Sequence, residues 1–160
     1  MPDEIIDPSR LEAARELVEA EEGPRRKLAG WMGWTVSALA VAMSLLFLYW
    51  AWETVTTQIL RLVFLAFTLV LSFLLYPAWK KRGLTTVAWL DWVLILLSLL
   101  AVGYALWDFE EFIYRAALPT NADQLFGALT ILLVLEATRR TTGWILPAVA
   151  IAFLAYAHLG

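Results

Sequence analysis

Glu136, Arg139 and Arg140 stand at i, i+3 and i+4 of one segment, the spacing that brings a carboxylate and two guanidinium groups onto one helical face. The chemistry such a trio can do is charge neutralisation. It reads as a local ion pair that lowers the cost of an acid near an interface, or as a contact anchoring the chain to another subunit; the two arginines can also meet anionic lipid. Asp91, within Trp89-Leu90-Asp91-Trp92, has two readings as well. Near a helix N-terminus its carboxylate is stabilised by the free backbone N–H groups. The other reading is a salt bridge to a partner subunit or to Lys80, Lys81 and Arg82. Further on, Phe109, Phe112, Ile113 and Ala116 recur at helical spacing with Asp108, Glu110, Glu111 and Arg115 on other faces. That pattern fits a short amphipathic helix lying at an interface, with a plain connecting loop as the alternative.

None of these groups forms a catalytic constellation. There is no cysteine, so no disulfide, thiolate metal site or cysteine nucleophile is possible. The single histidine, His158, excludes two-histidine haem ligation within this chain. No phosphate-binding loop, nucleophile elbow, zinc spacing or carboxylate pair is present. The expectation is a chain that is not an enzyme and holds no cofactor or metal. The basic residues fall in three separate clusters rather than on one face, which gives no support to nucleic-acid binding.

The elements that carry these residues are those of a membrane protein. The sequence is 61% hydrophobic and 17% charged over 160 residues, against about 45–50% and about 25% for soluble domains. Residues 1–28 form a polar cytoplasmic tail that begins acidic, unlike a secretory signal. Ser9 and Glu12 fit a capping box for a short helix over residues 10–22, solvated or docked on a partner. Five apolar spans follow, over residues 30–52, 59–79, 87–107, 121–138 and 142–158. The fourth is short, because its uncharged part covers only residues 124–135, and a re-entrant hairpin of the last two spans is its alternative. The expected fold is thus an all-α integral membrane bundle.

Orientation follows from the basic residues. Arg25, Arg26, Lys27, Lys80, Lys81, Arg82, Arg139 and Arg140 fall on one side, and only Arg61 and Arg115 on the other. The N-terminus is expected in the cytoplasm and the C-terminus outside. The nine tryptophans all lie near expected span ends, where an indole prefers the headgroup level. At mid-span the polar atoms are hydroxyls alone: Thr35, Ser37, Ser44, Thr68, Ser72, Ser98 and Thr130. A coupled carrier or pump usually keeps ionisable groups at depth. Their absence argues against a conducting centre in this chain.

The stretch Leu135-Glu136-Ala137-Thr138-Arg139-Arg140-Thr141-Thr142-Gly143-Trp144-Ile145-Leu146-Pro147 resembles part of fused TRAP permeases (tripartite ATP-independent periplasmic transporters), especially the TAXI branch. Phe73-Leu74-Leu75-Tyr76-Pro77-Ala78, Trp89-Leu90-Asp91-Trp92, and Leu118-Pro119-Thr120 with Asp123 are similar to the same region in the same order. The resemblance implies a bacterial or archaeal cytoplasmic membrane and a small permease subunit. Its partners would be a large elevator-type permease subunit and a periplasmic TAXI-type binding protein. It implies no sodium or substrate residue here, since the family keeps those in the large part. Small subunits of the family have four spans, so a fifth implies a subunit with an extra helix or one piece of a divided or fused permease. Two rivals stand beside this expectation: a membrane anchor for a redox or enzymatic complex, and a small channel or exporter formed by self-assembly.

Overall fold

The computed structural model describes residues 10–14, 26, 28, 30–78, 87–107, 109–114 and 118–159. Among them there is no strand. The helices are α1 (Trp31–Trp52), α2 (Thr57–Leu75), α3 (Trp89–Trp107), α4 (Phe109–Tyr114), α5 (Asn121–Thr142) and α6 (Ile145–Leu159). Residues 10–14 are also helical; the rest of the helix expected over 10–22 lies outside the described residues.

Three of these helices, α1, α2 and α3, are long and apolar enough to cross a membrane. At about 1.5 Å per residue, 19 to 22 residues reach about 28–33 Å. α5 matches them in length but not in apolarity, and α6 is apolar but only 15 residues long.

The helix ends differ from expectation where local chemistry decides them. α2 stops at Leu75 rather than 79, because Tyr76 is extended (φ −111°, ψ 114°) ahead of Pro77, and a proline disfavours the helical conformation of the residue before it. α5 starts at Asn121, the first residue of the expected fourth span, with Thr120 as its cap. The Thr120 hydroxyl accepts from the Asp123 backbone N–H at 3.3 Å, and the Asp123 carboxylate accepts from the Thr120 N–H at 2.8 Å, a reciprocal cap. It then runs to Thr142, four residues past the expected end. Gly143 stops it at φ 81°, ψ −162°, a conformation open essentially only to glycine. α4 covers six residues of the amphipathic segment read from sequence; residues 108 and 115–117 of that segment lie outside the described residues.

The core lies between α2, α3 and α5. Leu69, Phe73 and Leu74 of α2 meet Ile95 and Ala101 of α3 and Leu133 and Ala137 of α5. The inward stripe of α3 is Asp91, Ile95, Ser98, Val102 and Ala105, alternating steps of four and three as a helix packed along its length requires. Ser98, Ala101 and Ala105 are small, which lets backbones approach. α1 lies on α2 and contributes only half-buried side chains such as Val36 and Leu39. At their far ends Phe47 meets Phe64 edge-on, 5.6 Å between centroids. α6 folds back along α5 after a two-residue turn.

Successive long helices therefore run in opposite directions. Trp31, Trp34, Trp89, Trp92 and Trp144 fall at one end, and Trp50, Trp52 and Trp107 at the other. Most face outward, with Trp52 and Trp107 each 91% exposed.

Candidate functional site

The same alternation places the residue before α1, the end of α2, the start of α3 and the end of α5 together. Here Asp91 is buried with no exposed surface. Its Oδ2 accepts from Nη2 of Arg26, and its Oδ1 accepts from Nη1 of Arg140 at 2.7 Å. The Ala88 backbone N–H also points at Oδ2, at 3.3 Å. The helix-start reading of Asp91 is thus one part of its environment, and the two arginines are the larger part. Lys80, Lys81 and Arg82, offered as partners from sequence, lie outside the described residues.

Arg26 is held from both directions. Its Nη1 donates to the carbonyls of Phe73 and Leu74, each at 3.1 Å, and its backbone N–H donates to the Leu75 carbonyl at 2.8 Å. These are end carbonyls of α2, which have no partner within their own helix. A guanidinium suits the position because its fixed fork spans carbonyl and carboxylate acceptors together. Its buried Nε has no hydrogen-bond partner.

Arg140 joins the cluster to the expected trio. Its Nε donates to Glu136 Oε1 at 2.7 Å, and Nη1 also reaches the Tyr76 carbonyl at 3.3 Å. Arg139 forks onto the same carboxylate, Nε to Oε2 at 2.7 Å and Nη2 to Oε1 at 2.8 Å. The i, i+3 and i+4 spacing did bring Glu136, Arg139 and Arg140 together. The guanidinium of Arg140 lies 5.0 Å from the ring centroid of Phe73, and that of Arg139 lies 5.5 Å from Trp144. Both are cation–π distances.

The cluster therefore alternates in sign: Arg26, Asp91, Arg140, Glu136, Arg139. Two carboxylates serve three guanidinium groups. Charges taken out of water cost several kcal/mol each unless geometry and further hydrogen bonds compensate. Here every member touches an opposite charge, and four of the five also touch backbone.

At the other end a smaller tie forms. Tyr104 donates to Asp123 Oδ1 at 2.8 Å, and its ring stacks on Phe126 at 4.3 Å. Between the two ends, the hydroxyls of Thr35, Ser44, Thr68, Ser98 and Thr130 each donate to the carbonyl four residues earlier. They are spent within their own helices.

Phe109 is half-buried in α4; the side chains of Phe112 and Ile113 lie outside the described residues. Among the described residues no group of three or more acidic, histidine or cysteine side chains could hold a metal ion. A cleft of about 110 Å³ opens between α1, α2 and α3, lined by Leu28, Trp31, Val36, Leu39, Leu74 and Ile95 among others. Its one hydroxyl, Thr35, is bonded to the Trp31 carbonyl. Such a space offers a ligand shape but no polar group to orient it.

The sequence reading missed Arg26 and Tyr104 as contact residues. Arg26 was visible only as one of three basic residues marking a boundary, and its partners lie 47 to 65 residues away. No protein-family model matches the chain, and no curated protein or solved structure matches it either.

Proposed function

We propose that the chain is a membrane-embedded, non-catalytic subunit that braces a larger transport protein, the small permease subunit of a TRAP-type, TAXI-branch secondary transporter. The observation that carries this reading is the distribution of polarity. Among the described residues, the buried charges lie at one end, each against an opposite charge, and the middle layer holds apolar side chains and hydroxyls, five of which bond within their own helix. A layer of that kind suits a scaffold; a path for an ion or a polar solute needs polar groups at depth.

The membrane part of the proposal rests on α1, α2 and α3, on the outward apolar surface, and on the two belts of tryptophan about one α3 length apart. We read α5 and α6 as the fourth and fifth spans. The end holding Arg26, Arg139 and Arg140 is read as cytoplasmic, in keeping with the positive-inside rule. The segment bearing Phe109, Phe112 and Ile113 then lies outside, next to the exposed Tyr114 and Leu118, as a platform for a periplasmic binding protein. Lipid covers the remaining faces.

Purification of the tagged chain in mild detergent tests the reading. Co-isolation of a large multispan permease, and no flux from vesicles containing this chain alone, is the expected result. A soluble enzyme in its place would favour the anchor of an enzymatic complex. Uptake by the chain alone would end the scaffold reading. Within it, replacing Phe109, Phe112 and Ile113 by serine is expected to lower uptake while leaving the permease bound.

A further inference from the structure

α5 is the long helix least suited to a bilayer, and it is tied to α3 by polar contacts at both of its ends. It carries Asp123, Glu136, Arg139 and Arg140, and it is not among the helices apolar enough to cross. Its uncharged stretch, residues 124–135, spans about 18 Å, well short of a hydrocarbon core of about 30 Å. A span across the core must therefore carry charge into it.

Both ends of α5 find their partner on α3. Arg140 meets Asp91 at one end, and Asp123 meets Tyr104 at the other. On α3 the two sites are 13 residues apart, about 20 Å. The two contacts thus fix the register and the antiparallel direction of α5 along α3 at once. α3 itself is long and apolar enough to cross a membrane, and it precedes α5 in the chain. The cluster also gives Asp91 a partner that does not belong to α5: Arg26, upstream of α1.

We propose that α5 is a dependent span, which takes its place across the bilayer only because α3 presents Asp91 and Tyr104 to receive its charged ends. The proposal rests on the chain being in a membrane and not on the transporter reading.

The chain has no cysteine, so single cysteines report topology cleanly. Leu118→Cys and Thr142→Cys flank α5, and both parent residues are exposed. In intact cells a membrane-impermeant maleimide is expected to label the first and spare the second. Adding Asp91→Asn is expected to put both sites on one side in at least half of the newly made chains, read by pulse-labelling before degradation. Adding Arg140→Leu to that variant removes the charge that lost its partner, and is expected to restore opposite sides. Phe73→Ala destabilises the same core without touching a carboxylate, and is expected to leave the sites opposite. The proposal is overturned if Asp91→Asn leaves the topology intact. It is overturned equally if Arg140→Leu fails to restore it, or if Phe73→Ala scrambles it to the same degree. Sites that share one side in the parent chain would overturn both this proposal and the five-span reading.

Discussion

Oδ1 of Asp91 accepts from Nη1 of Arg140 at 2.7 Å across 49 residues of chain, with both side chains at most 2% exposed. Removing either partner does not have the same effect, because each has a second one. Without Asp91, Arg26 and Arg140 both lose a counter-charge. Without Arg140, Asp91 keeps Arg26 and Glu136 keeps Arg139. Stripping one member of a buried pair costs about 3–5 kcal/mol when an uncompensated charge remains. Asp91→Ala is therefore expected to lower the Tm of the detergent-solubilised protein strongly, and Arg140→Met distinctly less. Equal losses would show that the pairing scheme is not what holds this end.

Arg26→Lys keeps the charge but not the fork. A lysine ammonium reaches Asp91 or the α2 carbonyls, not both with the same geometry. Protection of the segment around residue 26 from limited proteolysis is expected to fall in Arg26→Lys and to vanish in Arg26→Ala. Cleavage patterns identical to the parent in both variants would contradict the docking described for Arg26.

Gly33 offers a steric test of the same docking. A Cβ there would lie 2.7 Å from the Leu28 carbonyl oxygen, closer than such atoms approach. Alanine favours helix interiors over glycine by about 1 kcal/mol, so Gly33→Ala gains helix propensity and loses the close approach. At Gly103 and Gly127 an added Cβ meets nothing within 4 Å. Gly103→Ala and Gly127→Ala are expected to hold or raise the Tm, whereas Gly33→Ala lowers it by displacing the segment from 26 to 28. The contrast among the three thermal midpoints is the measurement.

Tyr104→Phe keeps the stack on Phe126 and deletes the bond to Asp123. Side-chain hydrogen bonds between helices in membranes average about 0.6 kcal/mol, so a drop of about that size in unfolding free energy is expected, by steric trapping or chemical denaturation. Tyr104→Ala loses the stacked ring as well and is expected to cost several times more.

Much of the architecture was legible because it follows from runs and breaks. Apolar stretches located α1, α2 and α3, and the fourth span was expected to begin at residue 121, where α5 begins, but its end was set at 138 and the stop at Gly143 was not read. Helical spacing gave the Glu136, Arg139 and Arg140 trio, since those contacts are local. Asp91 was legible as a singular residue but its partners were not. Arg26 and Arg140 lie 65 and 49 residues away, and their meeting depends on how three helices and a flanking segment pack. The end of α2 was misplaced because hydropathy continues through Ala78 and Trp79, whereas the backbone turns at Tyr76 under the demand of Pro77. The outward surfaces were legible only as apolar, because hydrophobic patterning does not distinguish a neighbouring helix from an acyl chain.

Arg26 belongs to a stretch that composition classes as a hydrophilic extension, yet its guanidinium is plugged into the bundle. The folding unit therefore includes that arginine and does not open at Trp31. A shortened version starting at the first long helix would take away the donor to the Phe73 and Leu74 carbonyls, which have no partner within their own helix. Tags and fusions should accordingly be joined well ahead of Arg26.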